Sequence, residues 1–96
     1  MQLDYVLNYI NTYYNLYDYE YNDELQTYDN GEVEYQLRTT FSGGVYSILV
    51  RFKDDNQHIY REIFLSEFDD LSQFLDAVFD DKILEEMNLE FLRKLS

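Results

Sequence analysis

Chemistry in a short chain needs a few reactive side chains at a fixed spacing, and here the candidates are carboxylates. Three adjacent pairs, Asp54-Asp55, Asp69-Asp70 and Asp80-Asp81, are of the type that serves as paired general acid and base. Glycoside hydrolysis places two such groups about 5 to 9 Å apart across a substrate cleft. A chain of 96 residues has one core and no second lobe with which to build that cleft. The same acids would hold calcium in a D-x-D-x-D-G loop with a distal Glu, and no such loop occurs. His58 is the single histidine, cysteine is absent and no HExxH spacing exists, so zinc has no ligand set. Gly43-Gly44 lies between two strand-like runs and reads as a hairpin turn, not a phosphate-cradling loop. The expectation is a protein that is not an enzyme, with no catalytic residue, metal or cofactor. His58 is expected to be an exposed, titrating side chain at a strand start.

Charge is the stronger signal. Twenty acids face seven bases, a net charge of −13, and the imbalance is uneven. Asp4, Asp18, Glu20, Asp23, Glu24, Asp29, Glu32 and Glu34 fall within residues 1–37, where there is no base at all. Such a surface repels nucleic acid, so direct phosphate binding is excluded and a basic partner is the natural counterpart. Hydrophobic residues at 46% and aromatics at 19% supply a core despite the charge, so one folded domain, residues 1–96, is expected. With no cysteine, no long apolar run and no leader-like segment, a soluble protein of a reducing cytoplasm fits.

The elements that must position these acids follow from periodicity. Leu3, Val6, Leu7, Ile10, Tyr13, Tyr14, Tyr17 and Tyr21 share one helical arc, which predicts a first helix ending near residues 20 to 22. Asp4, Asn8, Asn11, Asn15, Asp18 and Asn22 form its polar stripe. Tyr5, Tyr9 and Leu16 widen the apolar arc to about 200°, so a second layer, a homodimer partner or another protein would cover that flank. Within it, Tyr17-Asp18-Tyr19-Glu20-Tyr21 alternates, and the chain can leave the helix as an extended segment there.

Asn30-Gly31 marks a turn into a strand with Val33, Tyr35, Leu37, Thr39 and Phe41 on one face. A two-residue Gly-Gly loop would set Phe41 opposite Tyr46, Leu37 opposite Val50 and Tyr35 opposite Phe52, with Glu34 facing Lys53 and Gln36 facing Arg51. A third strand over residues 57 to 65 would set Ile63 across from Ile48. Arg61 breaks its apolar face, which suits an edge position. Ser66 and Asp69 suggest a helix start, with Phe68, Leu71, Phe74, Leu75, Val78 and Phe79 inward and Asp69, Gln73, Asp76 and Asp80 outward. Leu84, Met87, Phe91, Leu92 and Leu95 fall out of phase with that set and predict a separate helix. The expected fold class is α+β: a three-stranded antiparallel sheet in the order α-β-β-β-α-α, with helices packed on one face.

This order, the size and the acidity resemble the small acidic DNA-mimic inhibitors encoded by phages, in particular the anti-CRISPR proteins acting on type II CRISPR nucleases. The likeness runs through "VYSILVRFKDDN" and "HIYREIFLSEFDDLSQFLDAVF", from Val33 to Phe79. It implies a non-enzymatic inhibitor, in the host cytoplasm if phage-encoded, whose exposed acids occupy the groove that reads DNA. The long tyrosine-rich first helix departs from that pattern. The α-β-β-β-α start also resembles a double-stranded-RNA-binding domain, but the basic loop residues that bind phosphate there are missing. The partner-binding residues expected on this reading are Asp18, Tyr19, Glu20, Tyr21, Asp23 and Glu24 in one cluster and Asp69, Asp76, Asp80 and Asp81 in another. An immunity protein against a basic nuclease toxin, or a homo-oligomeric adaptor using its tyrosine-rich helix, is the alternative.

Overall fold

The computed structural model describes residues 1–54 and 56–95, so Asp55 of the Asp54-Asp55 pair lies outside the described residues. The first helix, α1 (Leu3–Tyr13), ends well before residue 20: Tyr14 is already extended at φ −123°, ψ 143°. Two short strands follow, β1 (Glu20–Asn22) and β2 (Thr27–Asp29), ahead of β3 (Val33–Thr39), β4 (Val45–Phe52) and β5 (Tyr60–Phe64). The sheet thus has five antiparallel strands in chain order, not the three expected, and the first helix is about half the expected length. The physical reason lies in the tyrosines. Tyr21, Tyr28 and Tyr35, seven residues apart, are brought by two turns to one face of a sheet, where they stand side by side across β1, β2 and β3.

Side-chain chemistry closes the extra hairpin. Asn22 Oδ1 accepts the backbone N–H groups of Glu24 (2.9 Å) and Leu25 (3.1 Å). Gln26 takes a left-handed conformation, φ 59°, and its amide donates to the Leu37 carbonyl at 2.9 Å, tying the turn to β3. At the next turn Asn30 Oδ1 accepts from Glu32 and Val33, Asp29 Oδ1 accepts from Gly31, and Gly31 supplies φ 94°.

The β3–β4 pairing differs from expectation by two residues. Leu37 stands opposite Ile48, Tyr35 opposite Val50 and Glu34 opposite Arg51. An even shift leaves the side chains of residues 33–38 and 47–52 on their expected faces while changing each partner; beyond the irregularity, Val45 stands opposite Thr39. The loop is longer than Gly-Gly: Thr40 N–H donates to the Gly44 carbonyl and Gly43 N–H to the Thr40 carbonyl, both 2.9 Å, with a register irregularity at Arg38/Thr39. The N-terminus completes this tip, since Val45 N–H donates to the Met1 carbonyl (2.7 Å) and Leu3 N–H to the Gly43 carbonyl (3.2 Å). Phe41, expected within the sheet opposite Tyr46, instead projects fully exposed from the tip.

On β5, Ile63 stands opposite Ile48, as the sequence predicts. Arg61 lies on the apolar side of this edge strand, and its guanidinium reaches around to Glu90 at 2.8 Å. After a 3-10 turn (Leu65–Glu67), α2 (Leu71–Val78) begins later than Ser66. Its cap is Asp70, whose side chain accepts Gln73 N–H at 2.8 Å, while Gln73 Oε1 accepts Asp69 N–H at 3.3 Å. A separate helix, α3 (Asp81–Leu95), follows, with Asp80 Oδ1 accepting Lys82 N–H at its start. Tyr28 meets Asn11 of α1, Tyr35 meets Phe79 after α2, and Phe52 meets Phe91 of α3, so all three helices cover one sheet face. Val6, Ile10, Leu37, Ile48, Val50, Phe74, Leu75 and Met87 form the centre of that layer.

Candidate functional site

The uncovered sheet face collects the bases. Arg38 pairs with Glu62 (2.9 Å), Arg51 with Glu34 (3.1 Å) and Lys53 with Asp29, the last joining β2, a strand the sequence reading lacked. These long side chains lie over their neighbours, which explains why Glu34, Thr27 and Ser47 are buried on a face no helix covers. Lys53 beside Asp29 holds that carboxyl below its usual range, as does the N–H of Gly31. An open groove of about 740 Å³ runs here between Glu20, Asp23 and Glu24 on one side and Arg51 and Lys53 on the other. A carboxylate kept ionised in this way is a fixed charge, opposite to what a general acid requires.

The second feature is a belt of half-buried tyrosines edged by acids from different elements. The Tyr14 hydroxyl donates to Asp76 Oδ1 at 2.6 Å, linking the end of α1 to α2. Tyr19 packs on Tyr35, ring centroids 5.7 Å apart, and burial pushes its hydroxyl pKa up, helped by Asp18, Asp81 and Glu32. Tyr21 packs on Tyr28 at 4.8 Å, and burial again raises it, helped by Asp23 and Asp4. Carboxylates widely separated in sequence therefore surround the same rings.

This arrangement connects part of the two expected clusters. Asp18 and Asp81 share the surroundings of Tyr19, and Asp76 lies against Tyr14. Asp23 and Glu24 sit at the β1–β2 turn, Glu20 faces the bare sheet surface beside Asp29, and Asp80 and Asp69 flank the starts of α3 and α2. All eight acids are exposed. Tyr19 and Tyr21 differ from expectation, because their rings pack inward and offer little stacking surface. The free aromatic of the segment is Tyr17, 91% exposed and next to Asp18. Sequence reasoning missed it, along with Asp4 and Glu32. The Tyr-acid alternation, read as a strand, turns Tyr19 and Tyr21 in and Asp18 and Glu20 out, but it puts Tyr17 on the inward side too, so no local signal marks that ring as free.

Among the described residues no group of three His, Asp or Glu side chains converges as a metal site, and no helix is long and apolar enough to cross a membrane. No protein-family model, curated protein or solved structure matches the chain.

Proposed function

We propose that the protein is a non-enzymatic inhibitor whose acidic surface occupies the basic nucleic-acid groove of a DNA-processing protein, most specifically a type II CRISPR nuclease. The observation that carries this reading is which acids the bases neutralise and which they leave unpaired. Ion pairs commit Arg38, Arg51 and Lys53 to acids on the bare sheet face, and Arg61 and Lys94 to Glu90. Asp18, Glu20, Asp23, Glu24, Asp69, Asp76, Asp80 and Asp81 form no ion pair among the described residues. A net charge of −13 over a long axis of 42 Å is roughly one charge per 3 Å, comparable with about one per 1.7 Å of duplex DNA. Carboxylates at that density can stand where phosphates would lie, and the exposed ring of Tyr17 is suited to fill a desolvated pocket beside them.

The test is competition. A guide-loaded type II nuclease is titrated with the protein, with and without prior saturation by target duplex. Binding that DNA blocks, and that weakens steeply as salt rises, supports the proposal. Binding that coexists with target DNA, or ignores salt, overturns it. Failure to bind that nuclease, together with DNA-competed capture of another basic nuclease, would discard only the CRISPR target.

A further inference from the structure

A groove of about 350 Å³ lies where the start of β3 and the end of β4 meet α3. Local structure builds its walls. The Gly31 turn delivers Glu32, whose carbonyl accepts Lys53 N–H at 2.9 Å and so holds Glu32 beside the Lys53-Asp54 segment. Val33 pairs with Phe52, and Phe91 meets Phe52 edge to face, ring centroids 6.2 Å apart at 79°. Asn88 stands one turn before Phe91 on α3. The lining is mostly apolar, from Val33, Phe52 and Phe91, and Glu32, Asp54 and Asn88 supply its polar part. We infer that this groove binds a guanidinium on an apolar stem, the side chain of an arginine carried by a partner polypeptide.

Charge and ring chemistry select the occupant. Glu32 and Asp54 form no ion pair among the described residues, and no base lines the groove, because the ammonium of Lys53 is drawn to Asp29 on the bare sheet face. A purely apolar occupant would take these carboxylates out of water without a partner. An anion would meet them and a net charge of −13. A guanidinium suits both kinds of wall: it is planar and weakly hydrated, stacks on aromatic rings and donates to carboxylate and amide oxygens. A lysine ammonium is a strongly hydrated point charge and gains less from the rings. Neighbouring grooves lack half of this pairing. Glu20, Asp23 and Glu24 share theirs with Arg51 and Lys53, Arg38, Arg51 and Lys53 crowd the one beside His58, and Tyr5, Tyr9 and Tyr13 line one that has no acid. The volume is near the low end of the roughly 300 to 1,000 Å³ of ligand sites, which suits a single side chain. The inference rests on the reading of the protein as a binder of a basic partner, and names the group that this partner inserts.

Amide-detected NMR of the 15N-labelled protein, titrated with N-acetyl-arginine methylamide in physiological salt, tests this. Saturable shifts are expected at Gly31, Glu32, Asp54 and the Asn88 side-chain amide, with a dissociation constant on the order of millimolar for so small a probe. N-acetyl-citrulline methylamide, the neutral isostere, should give none. Glu32→Gln/Asp54→Asn should weaken binding about tenfold, whereas Glu67→Gln/Glu86→Gln, an equal change of charge away from the groove, should alter it less than about twofold. Both pairs are exposed, so each variant should keep the wild-type spectrum elsewhere. Absence of saturable shifts, equal shifts with the citrulline probe, or equal losses in the two variants overturns the inference. Saturable arginine binding by a protein that no nuclease recognises supports the groove and overturns the inhibitor reading, so the two proposals fail separately.

Discussion

The hydroxyl of Tyr14 donates a 2.6 Å hydrogen bond to Oδ1 of Asp76, joining two residues 62 positions apart. It fastens the point where the chain leaves α1 to the outer side of α2, next to the Tyr14–Phe79 ring contact at 5.1 Å. Tyr14→Phe keeps the ring packing and removes only this bond, so thermal or urea unfolding should show a loss of about 1 kcal/mol. Asp76→Asn retains an acceptor and should cost less than Asp76→Ala. Equal losses for the two Asp76 variants would mean that the bond contributes nothing.

Glu34 is 6% exposed and receives two hydrogen bonds from Arg51, at 3.3 and 3.1 Å. Arg51→Ala strands this carboxylate beneath the bare sheet face and should destabilise by about 1 to 3 kcal/mol. Adding Glu34→Gln removes the stranded charge and should recover part of the loss. A double-mutant cycle with no coupling would show that the pair is screened by water.

Alkaline pH should unfold the protein cooperatively. Burial pushes the Tyr28 hydroxyl up to about 12 and raises Tyr14, Tyr19, Tyr21 and Tyr35 as well. Above an ordinary tyrosine value of about 10 the unfolded chain loses these protons first. Stability is therefore intact below that value and falls as pH rises through the folded-state values. Ultraviolet absorbance of tyrosinate and loss of circular dichroism should rise together, and Tyr28→Phe should make the decline shallower. In acid the sign reverses for Asp29 and Glu90, held low by Lys53 and Arg61, whose contributions fade as pH falls through their depressed values.

Self-repulsion should make added salt stabilising at neutral pH. The Debye length shrinks from about 30 Å at 0.01 M to about 8 Å at 0.15 M, which is shorter than the molecule's 27 Å minor axes. The melting temperature should rise over that range. A fall would mean that the ion pairs of Arg38, Arg51 and Lys53 outweigh the net charge.

The acidic face itself is tested by amide substitution. Asp18→Asn, Glu20→Gln, Asp23→Asn and Glu24→Gln together, or Asp69→Asn, Asp76→Asn and Asp80→Asn together, should leave the fold intact. The amide oxygen introduced by Asp76→Asn still accepts from Tyr14, and the one introduced by Asp80→Asn still caps α3. Partner binding should fall at least tenfold, about 1.4 kcal/mol, for one of the sets. Smaller losses in both, measured by titration calorimetry on folded variants, would reject the proposed mimicry.

Some of this was legible in the residues alone. The faces of β3 and β4 followed from period-2 alternation, which is local and insensitive to even shifts in register. The break between α2 and α3 followed from the change of helical phase after Asp81, and the uneven charge from counting. Residues 13 to 22 were ambiguous for a physical reason: Tyr14, Tyr17 and Tyr21 satisfy helical spacing while Tyr17, Tyr19 and Tyr21 satisfy strand spacing. Only a neighbour could decide between them, and the neighbours are Tyr28 and Tyr35, met through a turn built by Asn22 and Gln26. The β3–β4 register likewise goes with a hairpin loop longer than Gly-Gly, closed between Thr40, Gly43 and Gly44 and bonded to Met1 and Leu3, contacts that no local alternation encodes. Composition by itself determined that the surface would be acidic. Tertiary structure alone decided which acids would be neutralised, because the bases on β3 and β4 can reach Asp29, Glu34 and Glu62 only once the strands are aligned.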